Sequence, residues 1–248
     1  MQHARSNSGF KVAEGFSQHL VFSGNPGTGK TTVARIIADL YFALGVLPSH
    51  HLVEVDRSGL VAGYVGQSAI KTREVIEEAI GGVLFIDEAY ALTSTGSHDS
   101  DFGHEVVDTL VKCMEDFRDQ FVVIVAGYRD EMAHFIDSNP GLRSRFSRYI
   151  TFDDYLPEDL VAIFSSLCAR GEYELDADAR STLSGSIQTL RDEGKTSGNG
   201  RFVRNLFEKI VEIQSQRVTK ISNALQTDLK RLTLSDVTIA VRELTGMT

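Results

Sequence analysis

Tryptophan is absent from the 248-residue chain and aromatic side chains make up only 8% of it, so no aromatic-rich binding face is advertised. Cysteine is nearly absent too. Cys113 and Cys168 lie far apart with no partnering motif, which excludes a disulfide scaffold and fits two buried thiols in a reducing compartment. No apolar run approaches the roughly 18 residues that a membrane-spanning helix needs. The opening MQHARSNSGF lacks the apolar core of a secretory signal. A cytoplasmic protein with no membrane span is therefore expected. Positive charge is in deficit: 25 Lys and Arg stand against 34 Asp and Glu, a net −9. Unspecific attraction to nucleic-acid phosphates or anionic membranes is not expected. Internal repeats and low-complexity tracts are missing as well.

What is present is an alternation of short apolar runs with longer amphipathic stretches. Residues 19–23 (HLVFS), 51–55 (HLVEV), 83–86 (VLFI) and 121–126 (FVVIVA) read as buried strands, and 149–152 as a short fifth. Between the first two, Val33, Ile36, Ile37, Leu40, Tyr41 and Leu44 recur at helical spacing, closed by Gly45. A glycine-punctuated loop, SGLVAGYVGQ, leads into a helix from about Ala69 to Ile80. A polar loop, Thr93 to Asp101, precedes a helix on which Val106, Val107, Leu110, Cys113 and Met114 share a face. Continuous apolar strands alternating with helices predict an α/β fold, a parallel sheet covered on both faces. After Pro157 the strand signals stop, and 158–170, 176–192, 201–220 and 235–244 read as helices. The expected division is residues 1–155 as an α/β body and 156–248 as a smaller helical subdomain.

Two motifs carry chemistry. Gly24-Asn25-Pro26-Gly27-Thr28-Gly29-Lys30-Thr31 satisfies G-x-x-x-x-G-K-[ST] at every defined position, with a strand before it and a helix after it. The glycines let backbone amides wrap a phosphate at the positive end of the helix. Lys30 sets a point charge on the β and γ phosphates of ATP, the Thr31 hydroxyl ligates Mg²⁺, and Thr32 follows in the binding segment. In the second motif, Asp87 and Glu88 stand at the carboxyl end of a fully apolar strand, where open α/β sheets bind ligands. Asp87 would hold Mg²⁺ through water, and Glu88 would orient and deprotonate the attacking water. An Asp-Glu pair after a strand is by itself often a helix N-cap; downstream of a phosphate loop it points to hydrolysis.

The glycine-rich loop, the IDEA(Y) strand end and the helical carboxyl-terminal part resemble AAA+ ATPases over nearly the whole chain. More narrowly, GNPGTGKTTVAR, GYVGQSAIKT, GGVLFIDEAYAL, VVIVAGY and NPGLRSRF resemble the CbxX/CfqX family, a group that includes red-type Rubisco activases, type VII secretion ATPases and sporulation ATPases. The run 197–205 looks most like the sporulation-type branch. The resemblance implies a homo-oligomer, a hexameric ring, that couples ATP hydrolysis to threading or remodelling a client protein. It implies that Arg145, helped by Arg143, is an arginine finger reaching the neighbouring subunit's γ-phosphate, a task that suits a guanidinium. It also implies a lid arginine, Arg201 or alternatively Arg204, closing over the nucleotide, and a pore loop in which Tyr64 and Val65 grip the client. Segment 92–103 would be a second pore loop. Its His98, Asp99, Asp101 and His104 are expected to be solvated rather than a metal site.

The chain departs from the pattern in two places. Where AAA+ proteins usually carry Asn at the end of the fourth strand, Ala126-Gly127 is followed by Tyr128, whose hydroxyl would have to substitute. Only 23 residues precede the phosphate loop, where family members supply part of the adenine pocket, so a fragment of a longer protein is expected. A nucleotide-switched assembly scaffold with weak ATPase activity is the alternative function.

Overall fold

Alternate residues of three strands supply two separate cores. In the computed structural model, which describes residues 18–64, 66–93 and 99–245, β1 is Leu20–Gly24, β3 is Val83–Ile86 and β4 is Val122–Gly127, all buried along their length. Val21, Leu84, Ile86, Val123 and Val125 enter one core, while Leu20, Phe22, Val83, Phe85, Val122, Ile124 and Ala126 enter the other. Side chains on a strand alternate between faces, so burial of both faces demands an unbroken apolar run. With β2 (Leu52–Val55) and β5 (Arg148–Phe152) as edges, the parallel sheet has the order β2-β3-β4-β1-β5. The expected α/β architecture is the one found.

Helices cover this sheet: α1 (Lys30–Ala43), the short α2 (Arg57–Leu60), α3 (Gln67–Ala79), α4 (Asp99–Asp116), α5 (Arg129–Asp137) and α6 (Pro140–Arg145). On α4 the expected face is buried, with Val106, Val107, Leu110, Cys113 and Met114 all in the first core. Three readings need correction. Helix α1 buries Ala34 and Ala38, with Val33, Ile37 and Tyr41 of the expected face packed against the same core; Ile36, Leu40 and, just past the helix, Leu44 are exposed, so half of the apolar periodicity faces outward. Helix α2 lies where only loop is expected, nucleated by Asp56 accepting from the Gly59 amide at 3.1 Å. Helix α4 starts at Asp99, inside the expected polar loop.

The chain forms two compact units. One holds the described residues up to Gly24 together with Lys30–Phe152, and the other holds Asn25–Gly29 with the residues from Asp153 onward. In the second, α7 (Pro157–Arg170), α8 (Ala177–Asp192), α9 (Gly200–Val218), α10 (Gln226–Lys230) and α11 (Leu234–Thr245) surround Leu160, Phe164, Leu183, Ile187, Val203, Leu206, Ile210 and Val237. Strands do not stop at Pro157, contrary to the reading above: β6 (Glu174–Leu175) pairs in parallel with β7 (Arg231–Leu232). Two-residue strands carry too little period to register in a sequence. Asp236, 1% exposed, ties α9 to α11. Burial opposes its charge, but bonds from Arg217 and from Thr233 outweigh that and hold its carboxyl below the usual range.

Candidate nucleotide site

Parallel pairing puts the carboxyl ends of β3, β4 and β1 side by side, with Ile86 opposite Val125 and Ser23 opposite Gly127. The residues that follow these strands are the candidates. Gly24 closes β1 at φ 156°, and a Cβ there would stand 2.3 Å from the Phe152 carbonyl oxygen, so only glycine fits. Gly27 and Gly29 adopt φ of 74° and 92°. Lys30 opens α1, and its ammonium donates to the Gly24 carbonyl at 2.8 Å. No acidic side chain occupies the first turn of α1, which leaves the positive helix end to an anion. Thr31 is half-buried and Thr32 exposed. The loop chemistry therefore fits a polyphosphate.

After β3 the backbone turns sharply. The Asp87 amide donates to Val55 at 2.8 Å, and Asp87 Oδ1 accepts from the Glu88 amide at 3.0 Å. Glu88 sits at φ 48°, ψ 41°, a left-handed conformation that costs a residue with a side chain about 1 kcal/mol or more. Its carboxylate is exposed, whereas Ile86 and Ala89 on either side of the pair are fully buried. Tyr128 follows β4, and its ring lies 5.8 Å from that of Tyr90 at a tilt of 48°. Tyr90 belongs to the same cluster; it ends the IDEA(Y) run, but no motif assigned it a role. Burial, then the charge of Glu88, then Tyr128, Glu131 and Asp87 raise its pKa. The Asp87 carboxylate and the Thr31 hydroxyl are oxygen donors of the kind a hard divalent cation takes.

Arg145 ends α6 and is mostly shielded. Its guanidinium pairs with Glu115 of α4 at 2.9 Å and bonds the Gly141 carbonyl at 3.3 Å. Behind it lies His19, whose Nδ1 accepts from the Val123 amide at 2.9 Å and whose ring stands between Phe121 and Phe146. Burial first, then the Arg145 charge, push the His19 pKa down to about 4. Arg143 is far more open and pairs with Asp137 at 2.5 Å. Tyr64 is 72% exposed, and neither Gly63 nor Gly66 has a neighbour within 4 Å of where a Cβ would be. The base of that loop is fixed instead: Ser68 accepts from the Ala62 amide at 3.0 Å, and Lys71 caps the Ser58 and Val61 carbonyls. Val65 and His98 lie outside the described residues, as do the side chains of Asp99 and Asp101. Among the described residues no three His, Cys, Asp or Glu converge as a protein-only metal centre would need.

In the second unit, Arg201 opens the first turn of α9 and Arg204 follows one turn on, both exposed. Asn25, Pro26, Gly27 and Thr28 are bonded there by Asp154, Tyr155, Asn199 and Gly200. Nothing in the sequence pairs residues 25–29 with positions so far downstream.

This arrangement defines a P-loop nucleoside-triphosphatase. The profile of the ATPase family associated with various cellular activities matches residues 20–154, and that of the AAA lid domain matches 156–246; the chain belongs to the AAA ATPase family. It is 44% identical to stage V sporulation protein K of Bacillus subtilis over 95% of this chain and 73% of that protein. It is 41% identical to the ESX-1 secretion system protein EccA1 of Mycobacterium tuberculosis over 94% of this chain and 42% of that one. These relatives accord with the CbxX/CfqX resemblance. Among solved structures, the Thermotoga maritima RuvB branch migration motor shares the fold with a TM-score of 0.63 at 19% identity, covering 100% of this chain and 66% of that one. The FIGL-1 AAA domain in complex with ADP does so with 0.63 at 19%, covering 97% and 76%. No described helix is long and apolar enough to cross a membrane.

Proposed function

We propose that the chain hydrolyses ATP to remodel or thread a partner protein, working as a ring, a hexamer by family resemblance. The observation that carries the hydrolytic half is Glu88. An exposed carboxylate held in a strained backbone at the end of a fully buried strand is fixed for a chemical task, not for packing. Residues 24–29 cradle the phosphates with backbone amides, Lys30 places its charge on them, and Thr32 follows in the segment. Thr31 and Asp87 would hold Mg²⁺, which when bound neutralises developing phosphate charge. Glu88 orients the lytic water and takes its proton. Tyr128, with Tyr90 against it, lines the place where a polar group would position that water. Arg145 and Arg143 serve the neighbour's site, and Arg201 or Arg204 meets the nucleotide from the lid.

Assembly is supported by the exposed Ile36 and Leu40 on α1 and Leu44 just past its end, an apolar stripe of the kind that marks a partner face. Client handling by Tyr64 and Val65 is supported by the exposure of Tyr64 on a loop whose base is pinned. The scaffold reading draws on Tyr128 standing where Asn is usual. Tyr64→Ala in the full-length protein separates the two. Basal ATP hydrolysis should stay within about threefold, under a kcal/mol of barrier, while client remodelling and client-stimulated hydrolysis are lost. Full remodelling by the variant would promote the scaffold.

A further inference from the structure

Asn199 is fully buried, yet its backbone stands at φ 47°, ψ −123°, a conformation that glycine adopts freely and that a side chain resists. Gly198 and Gly200 flank it, so a strained asparagine sits where the local sequence otherwise supplies glycine. What the residue gains is its amide. Asn199 Nδ2 donates to Asp154 Oδ1 at 2.8 Å and to the Pro26 carbonyl at 3.4 Å, and Oδ1 accepts from the Tyr155 amide at 2.9 Å. Asp154 Oδ1 also accepts from Asn25 Nδ2 at 2.9 Å, and Arg191 lies 4.0 Å from its other oxygen. The bonds from Asn25 and then Asn199 hold the Asp154 carboxyl below the usual carboxylate range.

The neighbouring bonds fall on the same stretch. The Gly200 amide donates to the Gly27 carbonyl at 3.0 Å, and the Tyr155 hydroxyl donates to the Thr28 carbonyl at 3.0 Å. A Cβ on Gly27 would stand 2.1 Å from the Gly198 oxygen, so backbone meets backbone there. Three consecutive carbonyls, of Pro26, Gly27 and Thr28, are thus engaged by residues 155 and 199–200. In a planar trans peptide the carbonyl and the following N–H point to opposite sides, and no described peptide is cis. Tying down those carbonyls therefore aims the amides of Gly27, Thr28 and Gly29 the other way, as a concave nest of donors for an anion.

We infer that Asn199, Asp154 and Tyr155 are positioning residues for nucleotide phosphates: they latch the carbonyl side of residues 26–28 and so preset the amide side before ATP arrives. The inference rests on residues 24–31 being the phosphate loop. Preset donors act on the phosphates in the ground state and throughout the reaction alike, so the latch governs affinity more than turnover.

The test is Asn199→Gly in the full chain, a substitution the backbone accepts without strain. Its thermal midpoint should be unchanged or raised, its Mg-ADP dissociation constant by calorimetry should rise roughly three- to tenfold, and kcat should move less than about twofold. Asp154→Ala should act in the same direction, and the double variant should be little weaker than the stronger single, because Asp154 reaches the Pro26 carbonyl through Asn199. Wild-type affinity in Asn199→Gly, or additive losses in the double variant, would overturn the latch. So would a fall in thermal midpoint with affinity and kcat lost in parallel, the mark of a merely structural residue. Lys30→Ala is the control: if it binds Mg-ADP normally, the phosphate-loop reading fails and takes the latch with it, whereas its failure beside an unaffected Asn199→Gly removes the latch alone.

Discussion

At the carboxyl end of β3 the chain is held from every side: Ile86 and Ala89 are fully buried, and the Asp87 amide is bonded to β2. At Tyr64 and Arg143 it is not, for these side chains stand in solvent on a glycine-flanked loop and at a short helix. Both regions belong to the same unit, so the contrast is not one of fold stability. Chemistry performed inside one chain needs atoms fixed to a fraction of an ångström, and buried strand ends supply that rigidity. A residue that meets something outside the chain gains from exposure instead. Arg145 lies between the extremes, mostly shielded and parked on Glu115.

The largest expected effects come from the fixed region. Lys30→Ala should abolish ATP binding, while Glu88→Gln should keep binding and lose roughly two to four orders of magnitude in turnover, the usual worth of a general base. Binding and single-turnover hydrolysis measured on both variants check this. Unchanged turnover in Glu88→Gln would remove the fixed region from the chemistry and erase the contrast.

Arg145→Ala tests the intermediate case. ATP binding should be nearly normal and hydrolysis lower by on the order of a thousandfold, as for an arginine finger. Mixing it with inactive Lys30→Ala should restore some activity, because mixed interfaces pair an intact phosphate loop with an intact arginine. No recovery in mixtures shown to co-assemble would place Arg145 inside its own chain's structure and not at a neighbour's site.

A smaller effect is expected at His19, the buried residue behind Arg145. With its pKa lowered from 6.5 to about 4 by burial and then by Arg145, the unfolded chain takes up a proton at higher pH than the folded one. The stability contributed by neutral His19 is complete above about pH 6.5 and is lost as pH falls toward 4, about 3 kcal/mol in all. His19→Asn keeps an acceptor for the Val123 amide but cannot titrate, so the acid slope of its urea midpoint over that window should be shallower than the wild type's. Equal slopes would show that His19 does not sense pH.

Periodicity and spacing carried much of this structure. Unbroken apolar runs marked β1, β3 and β4, because strands buried on both faces leave no room for alternation, and the glycine spacing with Lys30 and Thr31 marked the phosphate loop without any contact being known. The amphipathic helices after Pro157 were legible for the same reason. The face of α1 was only half legible, since Val33, Ile37 and Tyr41 pack inward with two alanines while Ile36 and Leu40 face out. The two-residue strands β6 and β7 were invisible because they exist only through each other. Tyr90, Glu115, His19 and Asn199 were assigned no role by any motif, and each acquires one only through a partner brought near by the fold: Tyr128, Arg145, Val123 and Asp154. The sequence by itself determined which groups could do the chemistry, because short-range backbone geometry dictates residue type at fixed spacing. Tertiary structure alone decided what holds those groups in place, because contacts between residues as distant as 26 and 199 leave no period in the chain.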